Sequence, residues 1–125
     1  MTTQTFAFVG TYTSTGSKGI YIYRHDPASG ALSLAGTAPG LGNPAFLAMH
    51  PTLSVLYASN EMGEYEGEQQ GAISSLAFDP VAATLTAINS QGARGRAPCS
   101  IAVERSGRYL FAANYSSGSV AMFPI

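Results

Sequence analysis

Glu61 ends a short apolar run, Val55-Leu56-Tyr57-Ala58-Ser59-Asn60, and belongs to a small set of residues whose types could do chemistry. A carboxylate can take a proton from water. The side-chain amides of Asn60 and Asn114 could donate to a developing oxyanion, and the guanidinium groups of Arg94 and Arg96 could hold an anion. Ser100 and Tyr115 complete the set as candidate substrate contacts. Each has a plainer reading. Asn60 and Asn114 can tie off strand ends by bonding local backbone groups. Glu61 opens an acidic stretch with Glu64, Glu66 and Glu68 that a solvated loop would carry equally well, and Ser100 can be a buried residue at a strand start. No Gly-x-Ser-x-Gly elbow surrounds Ser100. Cys99 has nothing basic paired with it and reads as a small apolar filler. The carboxylates lack the Asp/Asn/Gly arrangement of a calcium loop, and Gly16, Gly19 and Gly71 precede no helix that could cradle a phosphate. Neither a metal nor a cofactor is expected.

What would position these residues is a repeat. FAFVGTY from Phe6 recurs as VLYASNE from Val55, 49 residues on, and as YLFAANY from Tyr109, a further 54 on. PAFLAMHP from Pro44 returns as PCSIAVER from Pro98, again 54 later, and GIYIYRHDP from Gly19 returns as AISSLAFDP from Ala72 and as SVAMFPI from Ser119. Self-similarity near 50 residues, with no helical pattern inside the unit, is the signature of a β-propeller. Alternation in Ile20, Ile22 and in Leu32, Leu34, and the apolar runs at Val55 and Tyr109, read as strands. Asp26-Pro27, Asp79-Pro80, Pro51-Thr52 and Ser106-Gly107 read as turns. The predicted strands are 5–11, 19–25, 31–37, 44–50, 54–60, 71–78, 84–90, 98–104, 108–114 and 119–124.

Composition sets the outer limits. The chain has 125 residues, 46% hydrophobic and 10% charged, which is globular material long enough for a core. Its net charge of −1 offers no attraction to nucleic acid or to an anionic membrane. No apolar run approaches the roughly 18 residues of a membrane span, and the amino terminus has no basic stretch followed by an apolar segment. With one cysteine, Cys99, no internal disulfide can form. A cytoplasmic location is the expectation.

Laid into four-stranded antiparallel blades, counted from the inner strand a to the outer strand d, the strands read b-c-d, a-b-c-d, a-b-c. That is an all-β fold, an incomplete propeller arc of about two and a third blades: blade 1 over about 5–37, blade 2 over about 44–90 and blade 3 over about 98–124. The b–c and d–a loops of a propeller emerge on one face, around the mouth of its channel. Thr11, Tyr12, Asn43, Asn60, Glu61, Arg94, Arg96, Ser100, Asn114 and Tyr115 fall on that side, and His25 and His50 on the other.

GTYTS at Gly10, KGIYIYRHDPASGALS at Lys18, NPAFLAMHP at Asn43, LYASNE at Leu56 and APCSIAVERSGRYLFAANYSSGSVAMFPI at Ala97 resemble the amino-terminal part of the lactonase family. This family of seven-bladed β-propellers contains bacterial 6-phosphogluconolactonases and 3-carboxy-muconate cyclases. The resemblance implies a hydrolase that opens a sugar lactone with water, 6-phosphogluconolactone first among substrates; by their location on the mouth side alone, Glu61 could supply the base, Asn60 and Asn114 the donors, and Arg94 or Arg96 the anion anchor, with Ser100 and Tyr115 as further substrate contacts. A muconate-type cycloisomerase and a non-catalytic propeller fragment are the alternatives. Where the family often has Pro-Cys-His or Pro-His, this chain has Pro98-Cys99-Ser100, so a histidine-dependent mechanism would need residues of later blades. The expected partner is a small lactone, with self-association through open blade edges.

Overall fold

The computed structural model describes residues 3–125. Ten strands make up its regular structure: β1 (Thr5–Val9), β2 (Ile20–His25), β3 (Leu32–Ala38), β4 (Pro44–Met49), β5 (Val55–Asn60), β6 (Ala72–Asp79), β7 (Thr84–Gly92), β8 (Pro98–Val103), β9 (Tyr109–Asn114) and β10 (Ser119–Pro124). They form three antiparallel sheets, ordered β1-β2-β3, β4-β5-β6-β7 and β10-β9-β8. Each sheet is a chain of consecutive hairpins, and together they are an arc of a β-propeller. The repeat is preserved in the pairing: Asn60 stands opposite Ala72 in the second blade as Asn114 stands opposite Ser119 in the third.

The strand stacking follows from which faces are apolar. β5 is buried on both sides. Leu56 and Ala58 join Ile20, Ala38 and Leu76 in the seam between the first two blades, whereas Tyr57 joins Ile73, Ile101, Leu110 and Ala112 in the seam between the second and third. A strand buried on both faces reads as a continuous apolar run rather than an alternating one. Burying each such Leu or Ile contributes about 2 kcal/mol. Phe78 of β6 adds edge-to-face contacts to Phe6 and Phe8 of the first blade, with ring centroids 5.0 and 4.9 Å apart.

Two local features depart from the predicted strands. β1 stops at Val9, two residues early, because the Thr11 N–H donates across the seam to the Pro44 carbonyl at 3.0 Å. Gly10 permits that approach, since a Cβ there would lie 2.5 Å from Pro44 O and 2.7 Å from Ala45 O. The chain then makes one turn of 3-10 helix, Thr13–Thr15, closed by Gly16 in the left-handed region at φ 104°. Three residues are too few to leave a period in the sequence.

The outward face of the third blade repeats the second blade's buried face. Phe111 is 39% and Val120 72% exposed, whereas Tyr57 and Ile73, one repeat earlier, are each 7% exposed. On its own, the 125-residue polypeptide is expected to associate through such faces. Light scattering should report a mass above that of one chain, reduced by Val120→Asp; a monodisperse monomer would contradict this.

Candidate active site

The ends of β1, β5 and β9 and the starts of β4 and β8 lie along one rim. Three backbone bonds stitch that rim: Glu61 N–H to Asn43 O at 3.0 Å, Tyr115 N–H to Ala97 O at 2.9 Å, and Ala97 N–H to Met62 O at 3.2 Å. Asn43 and Ala97 occupy the same place in successive repeats and both adopt left-handed backbone, at φ 41° and 53°. Asn tolerates that conformation far better than Ala does. Pro44 and Pro98 follow them as first residues of strands β4 and β8, where the missing N–H is harmless.

Glu61 is held on the rim from the neighbouring blade. The Tyr12 hydroxyl, from the first blade, donates to Glu61 Oε2 at 2.7 Å. Asn43 Nδ2 donates to the Glu61 carbonyl at 3.1 Å, so both backbone groups of Glu61 bond to one residue. The phenol of Tyr12 is held above its ordinary ionisation range, first by the hydrogen bond to Glu61, then by desolvation and by the charges of Glu61 and Cys99. Tyr12 and Glu61 come from successive blades, so this bond spans the first seam. Tyr12 and Asn43 stood on the expected side of the fold but outside the candidate site. The signal for Tyr12 was its place in the repeat, which it shares with Glu61 and Tyr115.

Asn60 and Asn114 are each 2% exposed, and their amides serve the frame rather than the rim surface. Asn60 Nδ2 donates to Gly42 O at 2.9 Å and its Oδ1 accepts from Ser74 Oγ at 2.6 Å. Asn114 Nδ2 donates to Ala93 O at 3.0 Å, but its buried Oδ1 has no donor among the described residues. The difference is one hydroxyl: Ala121 stands opposite Ala112 where Ser74 stands opposite Ala58. Ser100, expected to be buried, is exposed, because it pairs with Ala113 on the face turned away from the second blade.

The two arginines diverge. Arg94, at φ 57°, belongs to an open polar recess of about 480 Å³ with Glu68, Gln70, Gln91 and Ser117. Arg96 reaches towards the loop after Glu61, with Nη2 3.9 Å from where a Cβ on Gly63 would stand. Both are exposed, and it is their backbone N–H groups that bond, to Gln70 Oε1 at 3.1 Å and to Ser117 Oγ at 2.8 Å. Tyr115 is 80% exposed. The apolar hollow of about 320 Å³ lined by Leu53, Tyr57, Ile73, Leu110 and Phe123 contains none of the candidate residues. His50 lies at the far end of β4, where Nδ1 accepts from the Thr52 and Leu53 N–H groups at 3.1 and 2.9 Å and Nε2 contacts Gly107 O at 3.0 Å. It is a buried strut between two turns. Among the described residues no group of three His, Cys, Asp or Glu side chains is placed to hold a metal ion.

The profile of the seven-bladed β-propeller lactonases matches residues 6–125. The chain belongs to the lactonase family. It is 34% identical over 123 residues to a 6-phosphogluconolactonase of Bacillus subtilis, a match that covers 98% of this chain and 34% of that protein. A 6-phosphogluconolactonase of Formosa agariphila is 29% identical over 119 residues, 94% of this chain and 33% of that one. The fold superposes on a solved Bacteroides fragilis protein with a TM-score of 0.87 at 34% identity, covering 98% and 32% of the two chains. The periplasmic gluconolactonase of Pseudomonas aeruginosa gives 0.84 at 35% identity, covering 98% and 34%. This lactonase-family chain therefore spans about a third of the length of those relatives.

Within the lactonase frame the two buried asparagines should behave as structural residues. Asn60→Ala, which removes the amide donor to Gly42 O and leaves Ser74 Oγ with Ser90 Oγ alone, is expected to cost about 2 kcal/mol of stability. Ala121→Ser, which supplies the donor Asn114 Oδ1 lacks, should gain about 1 kcal/mol. Urea midpoints of the two variants against wild type check both; equal midpoints for all three would show that these bonds carry no stability.

Proposed function

We propose that this chain is part of a hydrolase that opens a sugar lactone with water, of the 6-phosphogluconolactonase type. The observation that carries the reading is the Glu61 carboxylate, held at the rim by Tyr12, in a chain 34% identical to the Bacillus subtilis 6-phosphogluconolactonase. Ester hydrolysis needs a base on water, charge stabilisation for the tetrahedral oxyanion, and an anchor for the substrate's anionic group. In this reading Glu61 takes one proton from water as the water oxygen bonds the lactone carbonyl carbon. The ring C–O bond then breaks, and the departing alkoxide recovers the proton from the Glu61 carboxyl, leaving a hydroxy acid. Arg96, beside the loop after Glu61, suits a phosphate at the other end of the substrate as a charge-assisted donor. Arg94 and Tyr115, exposed on the same side, are further contacts for the sugar hydroxyls.

Hydrolysis of 6-phosphogluconolactone, followed by acid release at constant pH against the spontaneous rate, tests this. Glu61→Gln is expected to lower kcat by about 10²–10⁴, and Arg96→Ala to raise KM. Turnover unchanged in Glu61→Gln removes Glu61 from the mechanism, and no rate above the spontaneous one removes the lactonase reading for this chain.

A further inference from the structure

Asn43 does more than occupy a turn. Its backbone N–H donates to Thr13 Oγ1 at 3.0 Å, its Oδ1 accepts from Ser14 N–H at 3.0 Å and Thr13 Oγ1 at 3.3 Å, and its Nδ2 and carbonyl hold Glu61 on the other side. One residue thus ties the 3-10 turn of the first blade to the end of β5 in the second. Tyr12, the residue just before that turn, is the one whose hydroxyl reaches Glu61 Oε2. Glu61 is fixed at its nitrogen, its carbonyl oxygen and one carboxylate oxygen, while Oε1 has no donor among the described residues.

We infer that Tyr12 and Asn43 are positioning residues, which together lock the Glu61 carboxylate across the first seam and leave Oε1 as the oxygen that meets water. This rests on the reading of Glu61 as the base. A glutamate side chain has several rotatable bonds, and an unheld one would spread its oxygens over many positions. A phenol on Oε2 selects one of them, and misplacing a reacting group by about 1 Å can cost about 10²-fold in rate. Neither residue touches substrate in this role. Tyr12 is 47% exposed, so its removal does not open the core.

The test joins a titration to kinetics. Carbon-13 NMR of the ring Cζ of labelled tyrosine, with the Tyr12 signal assigned by its loss in Tyr12→Phe, follows this phenol apart from the other six tyrosines. In wild type it should ionise above the ordinary phenol range, and Glu61→Gln should bring it down. Tyr12→Phe should lower kcat by about tenfold to a hundredfold with KM within about twofold. Asn43→Gly, which keeps the left-handed backbone but deletes the amide, should lower kcat in the same way. If Tyr12 titrates identically with and without the Glu61 carboxylate, that carboxylate is not held and the inference is overturned, whatever the activity. If the titration responds but Tyr12→Phe keeps wild-type kcat while Glu61→Gln loses it, positioning is overturned and the base survives. Turnover that is absent, or indifferent to Glu61→Gln, overturns the functional reading and the positioning role with it.

Discussion

The structure depends on burying both faces of its central sheet against the sheets on either side. The second blade carries this most plainly: Leu56, Ala58 and Leu76 look one way, Tyr57 and Ile73 the other, and all five are at most 7% exposed. A single twisted sheet of four strands has no interior of its own, so the core of this fold is the set of seams between sheets. Everything at the rim inherits its position from those seams. Tyr12 meets Glu61 because Phe6 and Phe8 are pinned on Phe78 and because Ile20 and Ala38 share a core with Leu56 and Ala58.

Polar bonds then fix what apolar packing only brings near. Asn60 holds Gly42, Glu61 holds Asn43, and Asn43 holds Glu61 in return, so the end of β5 and the start of β4 form one rigid corner. The next repeat has a weaker version. Tyr115 N–H still bonds Ala97 O, but an alanine has no side-chain amide to return the bond, and Tyr115 projects into solvent at 80% exposure. The same backbone corner therefore presents a held carboxylate in one blade and a free phenol ring in the next. A repeat architecture supplies the corner many times, and the residue placed on it decides which corner can do chemistry.

Much of this was legible in the amino-acid sequence. Recurring phrases located the strands, because each blade must bury the same faces at the same spacing, and Asp-Pro and Ser-Gly turns marked their ends. The rim, too, followed from strand order. Glu61 and Tyr115 lie where that order puts them, and Asn60 and Asn114, legible as either donors or strand ties, are spent on Gly42 and Ala93. Ser100 was less legible, since burial of a strand residue depends on which neighbour covers its face.

The sequence by itself determined the repeat, the strand count and the side of the sheets on which each polar residue emerges, because those are properties of periodicity along one chain. Only the tertiary structure decided which of those residues touch. Tyr12 and Glu61 are 49 residues apart and belong to different blades, and the bond between them depends on the angle and offset at which two apolar faces settle. That offset is a sum over many side chains in the seam, including a glycine at position 10 that lets two backbones approach, and no local pattern encodes it.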